Sequence, residues 1–248
     1  MFFSMERDSK GLFTVLNSER TGERDRLLTI ISPSEGLLKA RVYGAQKSAR
    51  SIKVPLFSDG VFSLYHASRN KISVKDVEII NLRDGILSDI DKTTSAVLFS
   101  ELVMNARSSD ESLYRLLTRA LDALEVDLPY KRVVIMFVIR FLSLGGTFGD
   151  YEHCPVCQRV YSDDEILGYN NQIGASCCQN CSTGDGGLIL PPNARAFIRE
   201  SIKAGDDEVF SFRISDAQED RIFRFLLRLL RASSIAEIRT LSSGLWNF

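Results

Sequence analysis

The chain has 248 residues, of which 44% are hydrophobic and 25% are charged, and its formal net charge is −1. These values are typical of a globular protein with one large domain or two to three small ones, and they exclude wholesale disorder. Residues 1–11 lack the features of a signal peptide. The most apolar run, Val133–Ile139, is broken at Arg140 and is too short to cross a bilayer. We therefore expect a soluble, cytoplasmic protein with no membrane partner.

The charge of the chain is unevenly distributed. Residues 39–75 contain eight basic side chains and one acidic side chain, a local balance of +8 − 1 = +7 in a chain that is otherwise acidic. Such a cluster is the electrostatic footprint of a polyanion partner. The alternative is a solvated strand face, because lysine is common on exposed edge strands.

The first 80 residues alternate between apolar and polar positions, as β-strands do. The Pro-Ser-Glu-Gly stretch at residues 33–36 separates the second run from the third and is typical of a hairpin turn. Five short antiparallel strands predict a small barrel, and the nucleic-acid-binding OB barrel is the natural candidate. The predicted strands are Leu12–Leu16, Arg26–Ser32, Leu37–Tyr43, Val61–His66 and Ile72–Ile79.

From residue 84 onward the apolar period becomes helical. Ser109-Asp110-Glu111 has the composition of a helix cap and an acidic first turn. Pro129 opens a buried helix that Gly145-Gly146 ends. The predicted helices are Ile90–Ala106, Leu113–Leu124, Pro129–Leu144, one beginning at Pro192, Asp216–Ala232 and a short one over Ile235–Leu241.

These elements, together with two C-x2-C pairs within residues 154–181 that are typical of a zinc site, predict an α+β multidomain fold. In this fold an N-terminal OB-type β-barrel precedes an α-helical body with an inserted four-cysteine zinc module. We place the barrel at residues 1–80 and the first part of the helical domain at 81–150. The zinc module is placed at 151–189 and the second part of the helical domain at 190–248.

All five cysteines lie between residues 154 and 181, as Cys154-Pro-Val-Cys157 and Cys177-Cys178-Gln-Asn-Cys181. Two C-x2-C pairs separated by twenty residues predict a Zn²⁺ site with four thiolate ligands, Cys154, Cys157, Cys178 and Cys181. A closed site of this kind is structural. Cys177 is the alternative third ligand, and His153 is a weaker candidate. Two disulfides and an odd thiol would require an oxidising compartment, which nothing in the sequence indicates.

The sequence offers little for catalysis and more for binding. The chain has two histidines and none of the common hydrolase, nucleotide-binding or zinc-deaminase motifs, so we expect no enzyme activity. Lys39 and Arg41 are two residues apart on a predicted strand and therefore share a face with Tyr43. Two cations and an aromatic ring suit a phosphate backbone and a stacked base. The loop that follows adds Lys47, Arg50 and Lys53.

A second basic stripe lies in the predicted helix Asp216–Ala232. Its arginines recur at spacings of three and four residues and so share one helix face. The stripe either extends a nucleic-acid track, docks an acidic partner tail, or is a solvated face of a core helix. Its members are Arg221, Arg224, Arg228 and Arg231.

Several segments together resemble the bacterial RecO recombination mediator family. Residues 22–27 read G-E-R-D-R-L, residues 32–36 read S-P-S-E-G, and residues 44–50 read G-A-Q-K-S-A-R. They are similar to that family's G-E-x-D-R-L stretch, its P-x-x-G turn and its basic loop. Glu101-Leu102 and the first cysteine pair also fit, whereas Gln46 stands where the family often has a basic residue. The resemblance covers nearly the whole chain.

This resemblance implies a protein of DNA repair that is not an enzyme. RecO-like proteins bind single- and double-stranded DNA through the OB domain and anneal complementary strands. They act with RecR, and in some lineages RecF, to load the recombinase onto strands coated by single-strand-binding protein (SSB), whose acidic C-terminal tail docks on the helical body. Carried over by residue, the DNA-binding positions are Lys39, Arg41, Lys47, Arg50 and Lys53, and the metal ligands are Cys154, Cys157, Cys178 and Cys181.

Three other functions stay open at this point. The chain could be a zinc-ribbon module that binds RNA and does not anneal strands, or a scaffold whose basic face meets an acidic protein. A zinc hydrolase would require an open coordination position on the metal.

Overall fold

The computed structural model describes residues 7–45, 52–68, 71–106, 109–126, 128–146, 148–184, 188–204, 212, 214–232 and 238–246. The chain divides into two units. The first consists of Met1–Met104 and Ser108–Glu125, and the second consists of Asn105–Arg107 and Val126–Phe248. The barrel belongs to the first unit and the cysteines belong to the second.

Five strands form a closed barrel in the first unit, which confirms the predicted barrel. The strand order is β1-β2-β3-β5-β4, and antiparallel pairing of β4 with β1 closes it. One pairing differs from the all-antiparallel expectation, because β3 and β5 run parallel. The strands are β1 (Asp8–Thr21), β2 (Asp25–Ser32), β3 (Gly36–Val42), β4 (Asp59–Ser68) and β5 (Lys71–Asn81).

The barrel interior is filled by one face of each strand. Phe13 and Phe62 meet edge to face with ring centroids 5.6 Å apart. Because side chains alternate along a strand, the residues between the core positions point outward. The buried cluster comprises Phe13, Val15, Leu28, Ile30, Ala40, Val42, Phe62, Leu64, Ile72 and Val74.

The hairpin between β2 and β3 requires a glycine at its end. Gly36 has φ +67°, and a Cβ atom there would lie 2.5 Å from the Ser109 hydroxyl oxygen. The Leu37 N–H donates to the same oxygen over 3.2 Å. The turn is closed by Ser32, whose hydroxyl accepts the Glu35 N–H over 2.8 Å. The predicted Pro-Ser-Glu-Gly turn is therefore also the place where the barrel meets Ser109.

Three helices complete the first unit: α1 (Asp84–Leu87), α2 (Ile90–Met104) and α3 (Glu111–Glu125). The predicted cap of α3 is present, since Asp110 Oδ1 accepts the Leu113 N–H over 3.0 Å. At the other end of α3, the Glu125 carboxylate accepts the N–H groups of Gly85 and Ile86 at the start of α1. Sequence periodicity missed α1, because four residues are too few to show a helical period.

A buried arginine ties the barrel to α3 within the first unit. The Arg83 side chain is 1% exposed and forms a bidentate pair with Asp59 of β4, with distances of 2.9 and 2.6 Å. Its Nε donates to Asp122 of α3 over 2.7 Å, and Nη1 also donates to the Phe57 carbonyl over 2.6 Å. Since a buried charge is costly unless it is paired, the three partners and the arginine depend on one another.

The second unit contains α4 (Tyr130–Leu144), α5 (Pro192–Lys203), α6 (Asp216–Ala232) and α7 (Arg239–Ser242). All residues of Val133–Ile139 are 0% exposed, as the apolar run predicts. Helix α4 packs against α5 and α6, and Lys131 and Arg132 pair with Asp220 and Glu219 of α6. Of the helices in the described part of the chain, none is both long and apolar enough to cross a membrane.

Other differences from the predicted elements lie at the ends of strands and helices. Strands β1 and β4 are longer than the predicted Leu12–Leu16 and Val61–His66. Helix α2 ends at Met104 rather than Ala106, and α7 spans Arg239–Ser242 rather than Ile235–Leu241. Residues 233–237 of the latter prediction lie outside the described residues. Helix ends depend on local capping groups, which apolar periodicity does not report.

Replacing Arg83 with alanine should lower the free energy of unfolding by about 3 to 5 kcal/mol, because it leaves Asp59 partly buried without its partner. Urea denaturation followed by circular dichroism measures this. Arg26→Ala is the matched control, since Arg26 is exposed and its side chain bonds Ser18 alone within the described ranges. Its effect should stay within about 0.5 kcal/mol. Equal effects of the two substitutions would contradict the proposed importance of the buried pair.

Candidate metal centre and nucleic-acid interface

The cysteine pairs are presented by short turns around a two-stranded sheet in the second unit. Strands β6 (Gly168–Asn170) and β7 (Ala175–Cys177) form an antiparallel hairpin, and Gln179–Cys181 forms a single 3-10 turn. The Asn170 side chain organises this region. Its amide donates to the Cys181 carbonyl over 2.7 Å, and its oxygen accepts the Gln172 N–H over 2.9 Å. The sheet therefore fixes the second cysteine pair.

The four sulfur atoms of Cys154, Cys157, Cys178 and Cys181 all lie within 4.8 Å of one another. The Cys157 and Cys178 sulfurs are 3.8 Å apart. A tetrahedral site with metal–sulfur bonds of about 2.3 Å has edges of about 3.8 Å, so this spacing suits one shared ion. All five cysteines are free thiols. The residues present could hold a metal ion with four sulfur ligands.

The group contains Cys178 and not Cys177, as the C-x2-C spacing favours. Cys177 ends β7 and is 0% exposed. Burial, followed by the nearby charges of Cys154, Cys178 and Cys157, raises the pKa of the Cys177 thiol to about 11. Cys177 is thus a buried neutral thiol beside the group.

The electrostatics of the four thiols favour a cation among them. Burial tends to raise the pKa of Cys154, but N–H groups of Cys157, Cys178 and Val156 bond its sulfur and lower the pKa to about 6. The hydrogen bond with Cys178, together with burial, instead raises the pKa of Cys181 to about 12. The group therefore cannot ionise fully by itself, because neighbouring thiolates repel. A divalent cation removes this repulsion and allows all four sulfurs to act as ligands.

The third strand of the barrel presents the predicted cationic face. Lys39, Arg41 and Tyr43 are exposed, whereas Ala40 and Val42 between them are buried. Arg41 lies 3.8 Å from the Asp25 carboxylate, and its guanidinium carbon lies 5.8 Å from the Tyr43 ring centroid. The two cations thus share the outer surface of β3, and Tyr43 lies in the turn directly after the strand.

The neighbouring strands extend this face with Lys75, the last residue of the basic segment 39–75, and with Tyr65, which the sequence did not single out for binding. Arg41 is paired with Ser73 of β5, and Ser73 is paired with Tyr65 of β4, so these residues form one cross-strand row. The ammonium group of Lys75 lies 5.1 Å from the Tyr65 ring centroid and 2.6 Å from an Asp8 carboxylate oxygen. We call Lys39, Arg41, Tyr43, Tyr65 and Lys75 the barrel face.

Tyr65 was missed because its place beside Arg41 depends on the parallel pairing of β3 with β5. Nothing in a single strand reveals its neighbour. The only available signal was the position of Tyr65 in an alternating run between two basic segments.

The predicted basic loop is only partly described. Lys53 is exposed in the segment that leads into Phe57. Lys47 and Arg50 lie outside the described residues, and their role stays a prediction. His66 of β4 forms a 2.8 Å hydrogen bond with Ser9 of β1.

His153 lies outside the sulfur group. Its exposed ring contacts the Asp150 carboxylate, with Nδ1 and Oδ2 2.9 Å apart. Burial acts to raise the pKa of Asp150, but this hydrogen bond and those from the backbone N–H groups of Glu152 and His153 lower it. The pair closes the turn before the first cysteine.

The arginine stripe of α6 is exposed along its length, while the opposite face, including Ile222 and Leu226, is buried. The Arg231 guanidinium donates to the Leu241 carbonyl at α7. The stripe comprises Arg221, Arg224, Arg228 and Arg231.

Comparison with known proteins identifies the family. The family model described as "Recombination protein O C terminal" matches residues 87–236, which is more than half of the chain. The chain belongs to the RecO family. Its matched range runs from the end of α1 through the cysteine group and α6.

Curated relatives carry the name DNA repair protein RecO. The protein from Syntrophotalea carbinolica is 27% identical over 179 residues, covering 68% of each chain. The protein from Clostridium novyi is 24% identical over 225 residues, covering 86% of this chain and 84% of the relative. The protein from Acetivibrio thermocellus is 23% identical over 223 residues, covering 88% of each. The similarity to RecO proteins therefore spans most of the chain.

The two adjacent cysteines offer a matched test of the metal centre. Cys178→Ala should abolish binding of one metal ion per chain, because it removes one of the four grouped sulfurs. Cys177→Ala should retain the ion. The measurement is metal content by atomic emission after gel filtration, together with the change in melting temperature on adding a chelator. If Cys177→Ala lost the ion and Cys178→Ala retained it, Cys177 rather than Cys178 would be the ligand.

Proposed function

We propose that the chain is a DNA-binding recombination mediator in DNA repair. It binds single- and double-stranded DNA, anneals complementary strands and helps to load a recombinase onto SSB-coated single strands. The observation that carries the DNA-binding part is the barrel face, where three cations and Tyr65 lie on adjoining strands of an OB-type barrel and Tyr43 lies in the turn after β3. Membership of the RecO family supports the role in repair.

The barrel face suits both parts of a single strand. Lys39, Arg41 and Lys75 are exposed cations that attract phosphates. Tyr43 is 65% exposed, so its ring is available to stack on a base. Lys47, Arg50 and Lys53 add three cations in the segment after β3, which the sequence predicts as a loop. Such contacts are tolerant of sequence, because every base has an aromatic face and every nucleotide has a phosphate.

Annealing requires no covalent step. Two complementary strands repel through their phosphates, and a cationic surface lowers this repulsion while the bases pair. Binding releases counterions, so its affinity should fall as salt rises. We therefore propose a protein that is not an enzyme and that acts through charge, stacking and mass action.

The metal in this proposal is Zn²⁺ with a structural role. Zinc accepts four thiolates tetrahedrally, and four protein ligands leave no position for water or substrate. Cys154, Cys157, Cys178 and Cys181 would hold it. Zinc binding by these cysteines would hold the two cysteine turns and the β6–β7 hairpin together, while the barrel face binds DNA.

The proposed partners follow from the RecO family. They are a RecR-type mediator, the acidic C-terminal tail of SSB and, in some lineages, RecF, all in the cytoplasm. Exposed arginines on α6 give an acidic tail a complementary surface, since Arg221, Arg224 and Arg228 project from one helix face. Arg231 also contacts α7 and so has a structural role besides.

The salt dependence of DNA binding tests the barrel face. For a labelled single strand, log affinity falls as log salt rises. The double variant Lys39→Glu/Arg41→Glu should make this fall less steep by at least about 1.4, because each lost phosphate contact removes about 0.7 from the magnitude of the slope. Arg199→Glu/Lys203→Glu changes the net charge equally on α5 and should leave the slope unchanged. A parallel variant with Lys47, Arg50 and Lys53 changed to Glu tests the loop.

The outcomes separate the candidate functions. If the Lys39→Glu/Arg41→Glu variant and the loop variant both bind DNA like the wild type, the DNA site lies elsewhere, and the arginine stripe of α6 becomes the next candidate. Tight binding of RNA without annealing of complementary DNA would favour an RNA-binding module. No binding of either nucleic acid would favour the scaffold.

Stacking is tested separately from charge. Tyr43→Leu/Tyr65→Leu should weaken single-strand binding by about 1 to 3 kcal/mol per lost base contact and leave the salt slope unchanged, because no cation is removed. Fluorescence anisotropy at several salt concentrations measures both quantities. A changed slope with unchanged affinity at low salt would contradict a stacking role.

A further inference from the structure

One tyrosine of the barrel face lies in a group of three side chains: a carboxylate, a cation and the aromatic ring. The Lys75 ammonium lies 2.6 Å from an Asp8 carboxylate oxygen and 5.1 Å from the Tyr65 ring centroid. Asp8 of β1 is the cross-strand partner of Tyr65 on β4. The side chains of Lys75 and Asp8 are 48% and 66% exposed. This group therefore holds a solvent-accessible cation between a carboxylate and a ring.

The other tyrosine of the barrel face has the same arrangement. The Arg41 guanidinium lies 3.8 Å from one oxygen of the Asp25 carboxylate, and its central carbon lies 5.8 Å from the Tyr43 ring centroid. The other Asp25 oxygen accepts the Gly44 N–H over 3.0 Å. Asp25 is thus fixed against the turn that carries Tyr43, and again a cation has a carboxylate and a ring as neighbours.

The two groups are connected by one row of paired strand residues. Asp8 of β1 is paired with Tyr65 of β4, Tyr65 with Ser73 of β5, and Ser73 with Arg41 of β3. Neighbouring strands are about 4.8 Å apart, so this row of four strands spans about 14 Å. A single strand of DNA that follows the row therefore meets both groups.

The carboxylates occupy the place that DNA phosphates would take. Guanidinium and ammonium groups bind carboxylate and phosphate oxygens through the same N–H donors. A strand that binds Lys75 and Arg41 must therefore displace Asp8 and Asp25 from them. The displaced carboxylates also repel the phosphates, because both are negatively charged. DNA binding at this face is thus an exchange of one anion for another.

The size of this competition follows from the exposure of the two pairs. An exposed ion pair changes an equilibrium by a factor of about 1.4 to 5. Two such pairs together change it by about 2- to 30-fold, which limits binding without preventing it. A limit of this size suits a protein that anneals strands, because the paired product must leave the surface.

We propose that Asp8 and Asp25 are intramolecular competitors of the DNA phosphates. In the free protein they hold Lys75 and Arg41 beside the two tyrosine rings, and in the bound protein phosphates take their place. The two carboxylates thereby limit the affinity of the barrel face for DNA. This inference rests on the proposed DNA-binding function and concerns the regulation of that same site.

The first experiment compares two double variants that each remove two negative charges. Asp8→Asn/Asp25→Asn should bind a labelled single strand about 2- to 30-fold more tightly at low salt. Asparagine at position 25 keeps an oxygen to accept the Gly44 N–H. The control is Glu35→Gln/Glu78→Gln, since both carboxylates are exposed and neither forms an ion pair within the described ranges. Fluorescence anisotropy measures the affinities. An equal gain in the two variants would show that only net charge matters and would overturn the proposal.

A double-mutant cycle tests whether Asp8 acts through Lys75. Asp8→Asn alone should raise the affinity by about 1.4- to 5-fold in the wild-type background. In a Lys75→Gln background the same substitution should give a smaller gain, because there is no longer an ion pair to break. An equal or larger gain in that background would mean that Asp8 acts only by repelling phosphates, contrary to the proposal. Asp8→Asn also carries the test if the double variant does not fold.

The same titrations separate this inference from the proposed function. If the wild type and every variant fail to bind a single strand, DNA binding by the barrel face is wrong and the inference fails with it. If the wild type binds and Asp8→Asn/Asp25→Asn binds no more tightly than the control, the competition is absent while the DNA-binding function stands. Melting temperatures of all the variants establish that each protein is folded under the conditions of the titration.

Discussion

The first unit depends on the pairing of one buried cation. Arg83 is held between Asp59 on the barrel and Asp122 on α3, and it also bonds the Phe57 carbonyl. Burial acts to lower the pKa of Arg83, but Asp59 and Asp122 together raise it, so the guanidinium stays charged. Because that charge cannot be left alone in the interior, the barrel and the helix must meet in one arrangement.

Arg83 and its partner Phe57 both have a strained backbone conformation. Arg83 and Phe57 have φ of 52° and 63°, values that side chains other than glycine rarely adopt. Such residues cost of order 1–3 kcal/mol each and persist only where their surroundings over-determine them. Here the hydrogen bond between the two residues supplies that constraint. This hydrogen bond fixes the chain just before β4 and just after β5, the two strands that carry Tyr65 and Lys75.

The two units handle charge in opposite ways. On the barrel face, Lys39 and Arg41 are exposed, so solvent and phosphates can reach them, although Arg41 also lies near the Asp25 carboxylate. In the second unit, the arginines beside the cysteine group are engaged internally, with Arg195 buried and Arg159 paired to Glu165. A cation serves a polyanion only where solvent can reach it. This difference separates the proposed binding surface from the proposed structural centre.

Local spacing was enough to predict much of this protein from its sequence. The C-x2-C pairs bring sulfurs together because each turn spans only four residues, and the alternation of Lys39, Arg41 and Tyr43 places them on one strand face. Long-range pairing was not predictable. The parallel register of β3 and β5 puts Tyr65 beside Arg41, and the packing of α5 puts Arg195 over Tyr161, a residue 34 positions earlier in the chain. Such contacts are decided by which surfaces bury each other, and this is a property of the tertiary structure rather than of any local pattern.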